Sequence, residues 1–372
     1  MIQPLNCIRG YVLSFNKETS LAKLFLLAAL LFASNQALDM GLMLAGGQSH
    51  ETMRPWDRAW YAGIVTNGYD LEGHAHDKED AANWAFFPAH PFIARAVHLV
   101  SGMSPEMSLI AVSKITFALS ILAFMCFARA YNEKIHPVLA GCVVAFNPYA
   151  IYANAGYTEP LFLLGTCLFF LLLKNDKLIL AGLAGGFLTS VRLVGIVALA
   201  SYALRTARLF PAAPPDQKQR MILGFLLIPL GLSLFLLLLY HTTGDALAFM
   251  HVQRAWHRAA MHNPLGTIFT GLHKGYPDIY WAIISIIAFI PVLTFSYRKQ
   301  WELASYSLFC TAIPLTLGLM SMPRFVFWQA SFLLFLAEAL SFGKLFRVLI
   351  PCMLAAIVYT YMVWFSGSWH II

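Results

Sequence analysis

Long apolar runs without a charge constrain this chain more than any motif in it. Ile222–Tyr240 holds no charged side chain over nearly the length of a bilayer core, Leu161–Leu173 holds none, and Leu24–Leu38 follows a single Lys23. A helix needs about 20 mainly apolar residues to cross the hydrocarbon layer. Charged residues make up 12% of the 372, against about 25% in soluble domains. Lipid offers the backbone no partners, so only helices and closed barrels span it, and the two-residue alternation of a barrel is missing. The chain therefore reads as all-α, a polytopic transmembrane helical bundle forming one domain over residues 1–372. About eleven spans are expected, at 21–38, 107–128, 136–152, 158–174, 177–192, 193–209, 221–240, 279–297, 301–320, 325–342 and 347–366. Pro91–Ser101 is too short to span and reads as a helix lying in the interface. The first segment reads as a retained anchor, because no small-x-small cleavage site follows it.

Basic residues mark the cytoplasmic side of membrane proteins. With the N-terminus inside, 15 of the 25 Lys and Arg residues fall in short inner segments, nine fall outside and Lys114 lies within a span. This predicts an N-in, C-out topology and accounts for the net charge of +7 without a nucleic-acid partner. Of the 12 histidines only His136 falls inside, and the carboxylates lean outward too. The polar groups collect in two long outer loops, 39–106 and 241–278, and two short ones near 153–158 and 321–324. The six cysteines show neither metal spacing nor a disulfide framework.

Five clusters stand out on that outer face. They are RPWDRAWY (Arg54–Tyr61) with NWAFFPAHP (Asn83–Pro91), FNPYAIYANAGYTEPLF (Phe146–Phe162), AGLAGGFLTSVRLVG (Ala181–Gly195), TGDALAFMHVQRAWH (Thr243–His257) and SMPRF (Ser321–Phe325). A WD pair, an FFP, an NP…Y-x-E before a span, an Arg after a Gly/Ala-rich helix and a PR-aromatic follow one another. In that order the chain resembles the GT-C superfamily of integral-membrane glycosyltransferases. Within it the set is similar to the GPI mannosyltransferase 2 (PIG-V-type) family and its bacterial relatives, from about residue 20 to about residue 330. The resemblance implies a sugar taken from a polyprenyl-phosphate carrier at the non-cytoplasmic face of a bacterial inner membrane or the endoplasmic reticulum, and a lipid or glycan acceptor. Asp57 matches the superfamily's catalytic carboxylate, with Trp56 and Arg58 beside it counted among the substrate-binding residues. One departure bears on the acceptor: Leu193 and Val194 follow Arg192, where the family commonly has a small polar residue.

The residues agree with such chemistry. Transfer to a hydroxyl needs a base for its proton, and a single displacement with inversion needs one carboxylate opposite the leaving group. A lipid-phosphate leaving group calls for cationic donors, and Arg192 and Arg324 stand at outer span ends, where an arginine also snorkels. Glu159 reads either as a sugar contact or as the first-turn acid of a helix capped by Thr158 with Pro160 behind it. Gln253 and Trp256, three apart, face one way if helical, as a sugar contact or as an interfacial belt. His74-x-His76-Asp77 has the residue types for a divalent metal; no metal or other cofactor is required, and no DxD nucleotide-sugar site occurs. Glu338, within a span near its cytoplasmic end, reads as paired with a nearby Lys or Arg or snorkelling. The expected activity is an inverting glycosyltransferase, a mannosyltransferase foremost. Transfer of arabinose or glucose, or transport of polyprenyl-linked sugars, stands as the alternative.

Overall fold

The computed structural model describes residues 20–72, 81–256, 261–342 and 345–371, and every regular element in them is helical. The His74–Asp77 stretch lies outside the described residues. In chain order the helices of six residues or more are α1 (Leu21–Ala45), α2 (Asp57–Asn67), α3 (Ala89–Ser101), α4 (Pro105–Tyr131), α5 (Pro137–Ala145), α6 (Glu159–Lys174), α7 (Leu178–Val191), α8 (Ala198–Leu209), α9 (Pro215–Leu227), α10 (Leu230–Thr243), α11 (Pro264–Leu272), α12 (Asp278–Ile287), α13 (Ile290–Tyr297), α14 (Trp301–Leu315), α15 (Met322–Phe327), α16 (Ala330–Ser341) and α17 (Phe346–Phe365).

Among the described residues six stretches are long and apolar enough to cross a membrane: α1, α4, Leu193–Ala212, Pro215–Thr243, Asp278–Tyr297 and α17. The chain is an α-helical integral membrane protein. The other five expected spans contain shorter helices, of 9 residues in α5, 16 in α6, 14 in α7, 15 in α14 and 12 in α16. The shortening has local causes. The backbone leaves the helix at Phe146 after α5, turns extended at Arg192 after α7, and breaks at Trp328 and Gln329 between α15 and α16. Irregular backbone at membrane depth is tolerated where it is buried in protein or lines a cavity.

Two packing features place the end of the bundle that carries Asp57 and Arg192. Helix α7 lies backbone to backbone against α9 and α10: a Cβ on Gly182 would collide with the Gly224 carbonyl, and one on Gly231 with the Gly186 carbonyl. Small residues let membrane helices approach this closely, and the seam fixes the end of α7, where Arg192 stands. The loop before α2 is tied to α17. Arg54 Nη1 donates to the Gly367 carbonyl at 2.9 Å, and Trp364 Nε1 donates to the Arg54 carbonyl at 3.2 Å.

A buried polar network joins α1, α4 and α17. Asp39 accepts from Tyr361 Oη at 2.6 Å on one carboxylate oxygen, and meets Lys114 Nζ at 3.3 Å and His50 Nε2 at 3.1 Å on the other. Asn154 continues it, donating to Tyr361 Oη at 3.1 Å and to Asn35 Oδ1 at 3.2 Å. Lys114, alone in its span by sequence, thus has a counter-charge. Glu338 is paired as well, with Arg298 Nη1 at 2.7 Å and Asn132 Nδ2 at 2.8 Å.

Candidate active site

Helix α2 begins at Asp57, and the residue before it pays no heed to ordinary backbone preference. Trp56 has φ +45° and ψ −124° and makes no side-chain cap. Few non-glycine residues adopt a positive φ, and such strain persists only where the surroundings enforce it. Here the Asp57 N–H donates to Tyr157 Oη at 3.1 Å, and Arg54 lies over the Trp56 ring at 4.7 Å. Burial, then the charge of Asp57, pushes the Tyr157 phenol up, so it stays protonated.

Tyr157 follows a turn that requires glycine. Gly156 has φ +85°, and a Cβ there would crowd Arg58 Cδ and the Ile110 amide. His90 Nε2 lies 3.1 Å from the Gly156 carbonyl. A carbonyl only accepts, so the ring carries its proton on Nε2. Burial pulls the imidazole down to about 4, against the opposing effect of that bond, and it is neutral at physiological pH.

Four charges meet beyond this turn. Arg324 Nη1 donates to Asp57 Oδ2 at 3.0 Å, and its Nε lies 3.2 Å from Glu159 Oε1 without hydrogen-bond alignment. Arg192 Nη1 donates to the same Glu159 oxygen at 2.9 Å. The Phe325 ring is shared, with Arg192 at 4.8 Å and Arg324 at 5.0 Å from its centroid. Arg324 also faces the Tyr152 and Tyr157 rings at 5.1 and 5.7 Å. Ser321, just ahead of α15, is held at φ +72°. Strained residues therefore precede both partners of the Asp57–Arg324 pair.

These groups line a cavity of about 520 Å³. Asp57, Trp56, Glu159, Arg192, Gln253, Trp256 and Arg324, chosen from separate stretches of sequence, all lie on its wall. Gln253 and Trp256 share the 3-10 turn Val252–Trp256. Trp256 meets Trp60 at 5.5 Å, and Trp60 stacks on Phe86 at 5.8 Å, giving one side an aromatic wall. Phe162, Tyr306, Cys310 and Gln329 line the cavity as well. Among the described residues no three His, Cys, Asp or Glu side chains gather as a metal site.

Two expectations need correction. Arg58 does not line the cavity: its guanidinium donates to the His50 carbonyl at 3.0 Å and the Met53 carbonyl at 3.3 Å. Successive helical residues point about 100° apart, so the neighbour of an inward-facing Asp57 turns into the protein and braces the loop. Thr158 does not cap α6 with its side chain, because its backbone is helical, at φ −83° and ψ −11°, where a capping side chain needs an extended one. Sequence reasoning missed Trp60, Phe325 and Gln329. The first two lie inside RPWDRAWY and SMPRF, whereas Gln329 is an amide in what reads as an apolar span.

No protein-family model matches the chain, and no curated protein matches it.

Proposed function

We propose that this protein is a membrane glycosyltransferase that moves a sugar, mannose foremost, from a polyprenyl-phosphate carrier to a hydroxyl of a lipid or glycan. The convergence of seven residues from separate stretches of sequence on one cavity is the observation that carries the reading. Arg324 occupies Asp57 Oδ2, and Oδ1 is the atom that takes the acceptor's proton. As the acceptor oxygen bonds the anomeric carbon, the bond from that carbon to the phosphate oxygen breaks on the opposite face, with inversion. The released polyprenyl phosphate keeps the electron pair, and Arg192 and Arg324 stabilise it through charge-assisted hydrogen bonds. The cavity then faces the non-cytoplasmic side, consistent with the distribution of basic residues.

The test is incubation of the purified protein with polyprenyl-phosphate-mannose and a crude lipid or glycan acceptor fraction. Released polyprenyl phosphate, with mannose recovered in the acceptor, is the expected result. Binding of mannose, glucose and arabinose carriers without any release would replace this reading with transport.

A further inference from the structure

Buried polar atoms in a folded protein are nearly always hydrogen-bonded, so those that are not call for an explanation. Besides Arg324 Nε, which contacts Glu159, three such atoms without a hydrogen-bond partner belong to residues lining this cavity: Trp56 Nε1, Glu159 Oε2 and Gln329 Oε1. Gln329 stands apart from the charged layer. It is only 4% exposed and sits at the break between α15 and α16, where its backbone opens the second helix. Its Nε2 donates to the Ser307 carbonyl at 3.1 Å. A carbonyl cannot donate, so the amide is locked with its oxygen turned away from Ser307. The Cys310 thiol neighbours the same amide, and a thiol is a weak donor. Thr166, seven residues beyond Glu159, lies about 10 Å further along α6 at 1.5 Å per residue, and its hydroxyl is 3.3 Å from that of Tyr306 on the cavity wall. The cavity wall therefore carries a second polar group of residues, Tyr306 and Gln329, in which the Gln329 oxygen is a buried acceptor without a partner.

We propose that Gln329 determines specificity by accepting a hydrogen bond from a hydroxyl of the transferred sugar. The inference rests on the reading of the cavity as a lipid-linked-sugar site and adds the residue that reads the sugar. A site built to bond a hydroxyl rejects a ligand lacking it, because the buried acceptor is then left bare. The test compares binding of polyprenyl phosphate with that of its mannose, glucose and arabinose forms, on the purified full chain and on Gln329→Met, which keeps length and removes the acceptor. Gln329→Asn, which withdraws the oxygen by one methylene, serves if the first variant does not elute as a monodisperse species. The wild type is expected to prefer one sugar form over the bare lipid by about tenfold, and the variant to keep less than about threefold of that preference. A preference that survives in both variants overturns the role of Gln329 and leaves the site reading standing. Equal binding of bare and sugar-bearing lipid by the wild type overturns it as well. Failure of every polyprenyl phosphate to bind the wild type overturns the site reading, and this inference with it.

Discussion

Asp39 and Asp57 belong to the same early part of the chain, and each meets a cation from a distant helix, yet their surroundings differ in kind. Asp39 has both oxygens engaged, one by Tyr361 and the other by Lys114 and His50. At the Asp57 site the bonds are concentrated on single oxygens. Arg324 takes Asp57 Oδ2, both arginines crowd Glu159 Oε1, and Glu159 Oε2 is buried without a hydrogen bond. A saturated cluster offers a ligand nothing except at the loss of a bond already made. An unsaturated one keeps open an acceptor whose burial costs about 1–3 kcal/mol until something bonds it. The contrast separates a carboxylate whose oxygens are all engaged between helices from a pair that, under the proposed function, meets an incoming molecule.

The strongest way to break this comparison is Asp57→Asn. The variant should insert and melt like the wild type while sugar transfer falls by about 10²–10⁴-fold, the usual contribution of a general base; near-normal turnover would remove Asp57 from that role. Asp39→Asn should do the reverse. Lys114 loses its counter-charge, and stability in detergent should fall by about 1–3 kcal/mol with turnover per folded molecule preserved. A variant of Asp39 that melts normally but loses activity would erase the distinction. Glu159→Gln sharpens it by a smaller step. Releasing the arginines from one negative charge should tighten binding of polyprenyl phosphate by about tenfold, or about 1.4 kcal/mol. Weaker binding would mean that Glu159 orients the arginines for the ligand and does not compete with it.

Much of this arrangement was legible in the residues alone, for identifiable reasons. Charge-free windows forced membrane helices, and all six long apolar stretches fall on expected spans. The cavity residues were recognisable because charges and indoles at span ends are conspicuous against an apolar background. What stayed hidden depends on direction in space. Arg58 sits beside Asp57 in sequence but a third of a helical turn away, and nothing local says which of the two faces inward. Glu159 and Arg192 look like independent helix-end residues until the packing of α6 on α7, with Gly165 against Leu188, brings them within 2.9 Å. The shortening of the bundle's middle helices was likewise unreadable, since a break such as Trp328–Gln329 carries no proline or glycine to announce it.

The four charges at the cavity, Asp57 and Glu159 against Arg192 and Arg324, sum to zero. A neutral quartet projects little field beyond a few ångströms, so it does not draw anions from the aqueous phase as a basic funnel does. Capture of a phosphate-bearing molecule should then depend weakly on ionic strength and strongly on its concentration within the bilayer. Under the proposed function, selection then begins in the lipid phase, where a carrier held by its own hydrophobic chain stays long enough for an arginine to exchange a carboxylate for a phosphate.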